Sequence, residues 1–106
     1  MKLHRGTIAD YLNAYENGEF TSEEVAKSSL EGIESTDQEL GAWITLNREQ
    51  VLQDAAAIDA RRRAGDPLGS LAGVPIGIKD MICTEGLRTT AASKMLSEFV
   101  PPYDAT

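Results

Sequence analysis

The run Gly73-Val74-Pro75-Ile76-Gly77-Ile78-Lys79-Asp80 constrains this chain more than any other segment. Val74 to Ile78 has the make-up of a short buried strand. Its residues are β-branched, a proline sits at its edge, and Gly69 and Gly73 punctuate the chain ahead of it. A chain leaving such a strand delivers its next side chain to the carboxyl edge of a sheet, where open α/β folds place their ligands. Lys79 is that side chain. Two readings of it stand side by side. A lysine can run its stem along the sheet and keep its ammonium in water. A lysine held in low dielectric resists its charge and can act as a base.

The segments ahead of this run are helical in pattern. Thr7-Ile8-Ala9-Asp10 resembles a capping box with a short carboxylate in the reciprocal position. Ile8, Tyr11, Leu12 and Tyr15 follow at the spacing of one apolar helical face, and Gly18 is the expected C-cap. Thr21-Ser22-Glu23-Glu24 forms a second box. Ala26, Ser29, Leu30 and Ile33 line the next helix, which is expected to fade at Ser35-Thr36-Asp37. The pair reads as a helical hairpin over residues 7–36, with both tyrosines as packing residues. Ala42 to Leu46 reads as a strand by β-branched and aromatic content. Asn47 and Gln50 open a third helix, whose Leu52, Ala55, Ala56 and Ile58 present a mostly small face suited to packing on a sheet. Gly65-Asp66-Pro67 ends it. Strand, helix and strand at this spacing predict a parallel pair in a right-handed βαβ unit. Thr84 to Thr90 reads as a turn-rich loop with Gly86 at positive φ, and Ser93 to Leu96 as a short helix.

Charge and cysteine narrow the function classes. Net charge is −7, and binding a phosphate backbone needs clustered Lys and Arg. The one basic cluster, Arg61-Arg62-Arg63, sits at a helix end, where it complements the macrodipole. Cys83 is the only cysteine, so no internal disulfide forms, and a reducing compartment fits. A cysteine nucleophile needs a base, and the only histidine, His4, lies in the N-terminal tail. No His, Cys, Asp and Glu cluster has metal-ligand spacing. Met1 to Arg5 carries basic residues without an apolar core segment, and nothing approaches the roughly 18 apolar residues of a membrane span. A cytoplasmic location is the expectation.

The residues after Lys79 carry a family pattern. Gly73-Val74-Pro75, Lys79-Asp80, Gly86, Thr89-Thr90, Ser93 and Asp104-Ala105 together resemble the amidase signature family. The resemblance departs at Met81, where the family often carries Asn. It implies an α/β fold: the N-terminal part of a single larger amidase domain, with the helical hairpin followed by a βαβ unit and active-site loop over residues 42–106 of a larger mixed sheet. It also implies a serine, cis-serine and lysine triad in which Lys79 is the proton-relay base. Both serines, the nucleophile included, would lie outside these residues. Within the family, the stretch from Ser93 to Thr106 resembles the branch that releases ammonia from glutamine for amidation of glutamyl-tRNA(Gln) or aspartyl-tRNA(Asn). The resemblance then implies partner subunits in a heterotrimer, with ATP and Mg²⁺ used by a partner rather than by this chain. It implies tRNA held by the complex rather than by these residues. Another amidase-signature hydrolase of a different amide is the first alternative. A free-standing, non-catalytic protein-binding module is the second, should the chain end at Thr106.

Overall fold

The computed structural model describes residues 5–106; Met1 to His4, with the only histidine, lie outside the described residues. Among the described residues three α-helices follow in order, α1 (Ile8–Glu16), α2 (Ser22–Leu40) and α3 (Arg48–Arg63), and a short 3₁₀ helix covers Lys94–Leu96. The chain divides into two compact units. The first holds the residues up to Leu40 together with Arg48–Pro75, and the second holds Gly41–Asn47 and Ile76–Thr106.

In the first unit, local signals set the helix ends as their chemistry dictates. The Asp10 N–H donates to the Thr7 hydroxyl at 3.1 Å, and Asp10 Oδ2 accepts the Thr7 N–H at 2.9 Å. The same exchange joins Thr21 and Glu24 at 3.2 and 3.4 Å. Each box satisfies two donors that a helix start leaves orphaned. The far ends of α1 and α3 close alike. Gly18 and Gly65 donate to Tyr15 and Arg62, and Glu19 and Asp66 reach back to Ala14 and Arg61, which is the Schellman pattern.

Two features differ from the expected outline. Helix α2 passes Ser35-Thr36-Asp37 and ends at Leu40. The Ser35 and Thr36 hydroxyls both donate to the Gly32 carbonyl at 2.9 Å. Their competition for backbone partners is thereby absorbed inside the helix rather than breaking it. And α3 packs on α2, not on a sheet. The two run antiparallel, with Arg48 paired to Glu34 at 2.7 Å near one end and Asp59 meeting Ser22 at the other.

Asp59 joins the two helices. It is 6% exposed, and its two oxygens accept the N–H groups of Ser22 at 2.8 Å and Glu23 at 3.0 Å. A carboxylate on the first free N–H groups of a helix faces the positive end of its macrodipole. Beside it, Tyr11, Tyr15 and Val25 form the buried apolar cluster, with Leu12, Phe20 and Val74 packed against it. Both tyrosines are packing residues, as expected. The Tyr15 hydroxyl donates to the Gly73 carbonyl at 2.7 Å, and burial pushes its pKa up. Gly73 has φ +87°, and a Cβ there would stand 2.4 Å from Ser22 Oγ, so only glycine lets this backbone approach.

The arginine cluster belongs to this packing. Arg62 lies over the Tyr15 ring at 5.0 Å and donates to the Ala72 carbonyl. Arg61 donates to the Pro67 carbonyl. Both tie the last turn of α3 to the loop that follows it.

The βαβ unit is not formed among the described residues. Ala42–Leu46 and Val74–Ile78 carry no strand pairing, and the one isolated β-bridge described joins Thr84 to Leu87. Composition makes a segment fit for a strand, but a strand exists only where a neighbour accepts and donates the ladder bonds. None of the described segments does so for these two.

Candidate functional site

The second unit holds Lys79 and is built from loops rather than regular elements. Its backbone is closed by bonds between residues 83–89 and 99–105. Thr89 N–H donates to Phe99, Gly86 to Pro101, and Ala105 to Cys83, all at 2.8–3.0 Å. Asp104 accepts the Glu85 N–H at 2.7 Å. The Thr84–Leu87 turn has Gly86 at φ +79°, the positive φ expected of it. Pro101 is among the most deeply buried side chains in the chain.

Arg88 ties three stretches together. Its guanidinium donates to Thr45 Oγ1, to the Ile44 carbonyl and to the Ser97 carbonyl at 3.2–3.3 Å. A planar fork with five donors suits such a cross-link, and a lysine could not replace it. Trp43 lies against Gly77, where a Cβ would stand 3.0 Å from the ring.

These segments enclose a cleft of about 500 Å³. Trp43, Ile44, Ile78 and Leu87 give it apolar walls, and Lys79 and Thr89 are among its polar lining. Lys79 is exposed. The low-dielectric setting expected of a sheet edge is therefore not supplied by these residues. The cleft itself is large enough for a small polar ligand with an apolar body.

Asp80 does not pair with Lys79. Its carboxylate accepts the Thr90 N–H at 2.9 Å and the Ala92 N–H at 3.2 Å, and the Thr90 hydroxyl donates to the same Oδ2. The Ala91 N–H donates to the Asp80 carbonyl at 2.8 Å. Asp80 is thus an acceptor for loop N–H groups. Ala91 and Ala92 stand at φ 49° and 57°. Left-handed backbone costs a residue with a Cβ roughly 1–2 kcal/mol, so two in succession require bonds that hold them. Thr90 is one such anchor. Thr89 is buried too, donates to the Leu87 carbonyl at 3.1 Å and lines the cleft.

The Thr90 hydroxyl, then its N–H, hold the Asp80 carboxyl below its usual 3.8. A depressed folded-state pKa gives stability that is complete above the unfolded value and is lost as pH falls through the folded one. Amide exchange should therefore show Thr90 and Ala92 protected at pH 5. Protection should disappear only in stronger acid than unfolded carboxylates need. Loss of protection between pH 6 and 5 would contradict the clamp.

The half-buried Cys83 thiol donates to the Tyr103 hydroxyl at 3.9 Å, and that contact raises the Tyr103 pKa. Among the described residues, no group of three or more His, Cys, Asp or Glu is arranged to hold a metal ion. Among the described residues, no helix is long and apolar enough to cross a membrane.

Residues 24–106 match the family described as Amidase, and the chain belongs to that family. Across all 106 residues it is 47% identical to a glutamyl-tRNA(Gln) amidotransferase subunit of Natranaerobius thermophilus, and 44% identical to its counterpart in Moorella thermoacetica. It spans 22% of the length of each of these curated relatives. Among solved structures, one from work on "an unexpected vestigial protein complex" and the origins of "an s-triazine catabolic enzyme" superimposes with a TM-score of 0.86. The match is at 28% identity and covers 93% of this chain and 22% of that one. The fold is shared with that solved structure.

Proposed function

We propose that this chain is the N-terminal segment of the glutaminase subunit of a tRNA-dependent amidotransferase. One observation carries the reading: identity of 44–47% along the whole chain to glutamyl-tRNA(Gln) amidotransferase subunits from different bacteria. The remaining length of the relatives would supply the neighbouring strands of the mixed sheet, so that residues 1–106 are the first part of one larger amidase domain. It would also supply the nucleophilic serine, the bridging serine and the oxyanion donors.

In this reading Lys79 is the proton-relay base of the cleft. Covering the cleft would remove Lys79 from water and favour its neutral form. The base takes the nucleophile's proton through the bridging serine, and the same route returns a proton to departing ammonia. Thr89 and the apolar walls flank the glutamine side chain. ATP and Mg²⁺ are assigned to a partner in the heterotrimer, and no step in this chain runs through either. The tRNA is held by the complex, and the location is cytoplasmic.

The test is the complete reading frame, co-purified with its partner subunits, then assayed for ammonia release from glutamine and for amidation of glutamyl-tRNA(Gln) and aspartyl-tRNA(Asn). Hydrolysis of some other amide, with no glutaminase, would replace this reading by another amidase-signature hydrolase. The 106-residue chain alone is expected to release no ammonia. Release by highly purified chain, abolished by Lys79→Ala, would place the whole apparatus within these residues.

A further inference from the structure

Among the described residues Lys79 sits in an exposed loop segment, and a relay base must be placed to within about an ångström. The residue that follows it is the most heavily bonded group in the loop. Three donors converge on the Asp80 carboxylate and a fourth on its carbonyl, all from Thr90, Ala91 and Ala92. On the other side of the junction, the Ile82 N–H donates to the Lys79 carbonyl at 3.0 Å. The peptide that joins Lys79 to Asp80 is thus fixed from both ends.

We propose that Asp80 is a positioning residue for Lys79, which its carboxylate holds at the cleft by clamping the left-handed pair Ala91-Ala92. This rests on the proposed role of Lys79 and adds to it the device that aims the base. The clamp needs a charged acceptor. A carboxylate has lone pairs for all three donors, whereas an asparagine turns one of its two positions into an NH₂ donor. That donor would face the Thr90 hydroxyl and the Ala92 N–H, or the Thr90 N–H. Without the clamp, Ala91 and Ala92 relax toward negative φ, and the 79–82 turn loses its opposite wall.

The experiment compares Asp80→Asn, Thr90→Val and Thr90→Ser in the complete protein. Each variant is first checked by circular dichroism and melting, so that only folded protein is compared. The first readout is the labelling rate of the Lys79 amine by acetic anhydride, measured against Lys27 and Lys94 in the same digest. It needs no activity. Asp80→Asn and Thr90→Val should change the Lys79 rate while leaving Lys27 and Lys94 unchanged. Thr90→Ser, which keeps the hydroxyl, should restore it. The second readout is glutamine hydrolysis. Asp80→Asn should lower kcat by about 10²-fold, the scale of a 1 Å misplacement, with KM little changed.

A Lys79 labelling rate equal to wild type in folded Asp80→Asn would overturn the proposal. So would a fall in kcat matched by Thr90→Ser. If wild-type protein proves to have no glutaminase activity, the functional reading fails, and the labelling result still decides whether Asp80 positions Lys79. If Asp80→Asn does not fold, the decision passes to Thr90→Val against Thr90→Ser, which leave the carboxylate in place.

Discussion

Asp59→Ala should unfold the first unit more readily than any other substitution of a polar residue there. Two charge-assisted hydrogen bonds are lost at once, and each is worth roughly 1.5–3 kcal/mol. The Ser22 and Glu23 N–H groups are left without an acceptor, and Ser22 is fully buried, so water cannot take over at that position. The expected cost is about 3–5 kcal/mol, against about 1 kcal/mol for loss of an ordinary N-cap. Since 1 kcal/mol moves the melting point of a domain of this size by about 4–8 °C, the shift should exceed roughly 10 °C. Asp59→Asn should fall between wild type and alanine. One oxygen remains to accept, but the charge at the positive end of α2 is gone. Urea denaturation followed by helical circular dichroism measures both. An Asp59→Ala protein that melts within about 3 °C of wild type would show that the interhelical cap contributes little.

What the sequence discloses and what it hides divides along chain distance. Both capping boxes lie within four residues, so Thr7 with Asp10 and Thr21 with Glu24 can be read directly, as can Gly18 and Gly65 at their helix ends. Asp59 and Ser22 are 37 positions apart. No local pattern distinguishes Asp59 from any polar residue on α3, and the small face of that helix is just as compatible with a helix as with a sheet. Arg88 is hidden for the same reason, since its partners at Ile44 and Thr45 are more than 40 positions away. The two strand-like segments fail differently. Their composition suits a pleated surface, but pairing is a property of the neighbours, which a composition argument does not contain.

The site shows both cases within a few residues. Along an extended segment, alternation of side chains would turn Asp80 away from Lys79, and the Asp80 carboxylate accepts from Thr90 and Ala92 instead. Nothing in Ala91-Ala92 announces left-handed backbone, which glycine and asparagine ordinarily supply. The conformation follows from Asp80, eleven and twelve positions earlier.

Lys79→Arg should abolish glutaminase activity in the complete protein about as fully as Lys79→Ala. A relay base must be able to give up its proton and take another. A guanidinium stays protonated at any useful pH, so arginine keeps the charge and removes the base. Loss of a positioned general base costs typically about 10²–10⁴-fold, and both variants should fall in that range or below detection. Two controls separate chemistry from structure. None of the hydrogen bonds that close the second unit uses the Lys79 side chain, so a lost rate in a variant that melts within a few degrees of wild type is a loss of chemistry. Amidation of mischarged tRNA by the assembled complex should continue when free ammonia replaces glutamine, because that step bypasses the Lys79 cleft. Substantial glutaminase activity in Lys79→Arg would make the lysine an electrostatic or structural group. Loss of ammonia-dependent amidation as well would mean that Lys79 supports the assembly, and the base assignment would fall with it.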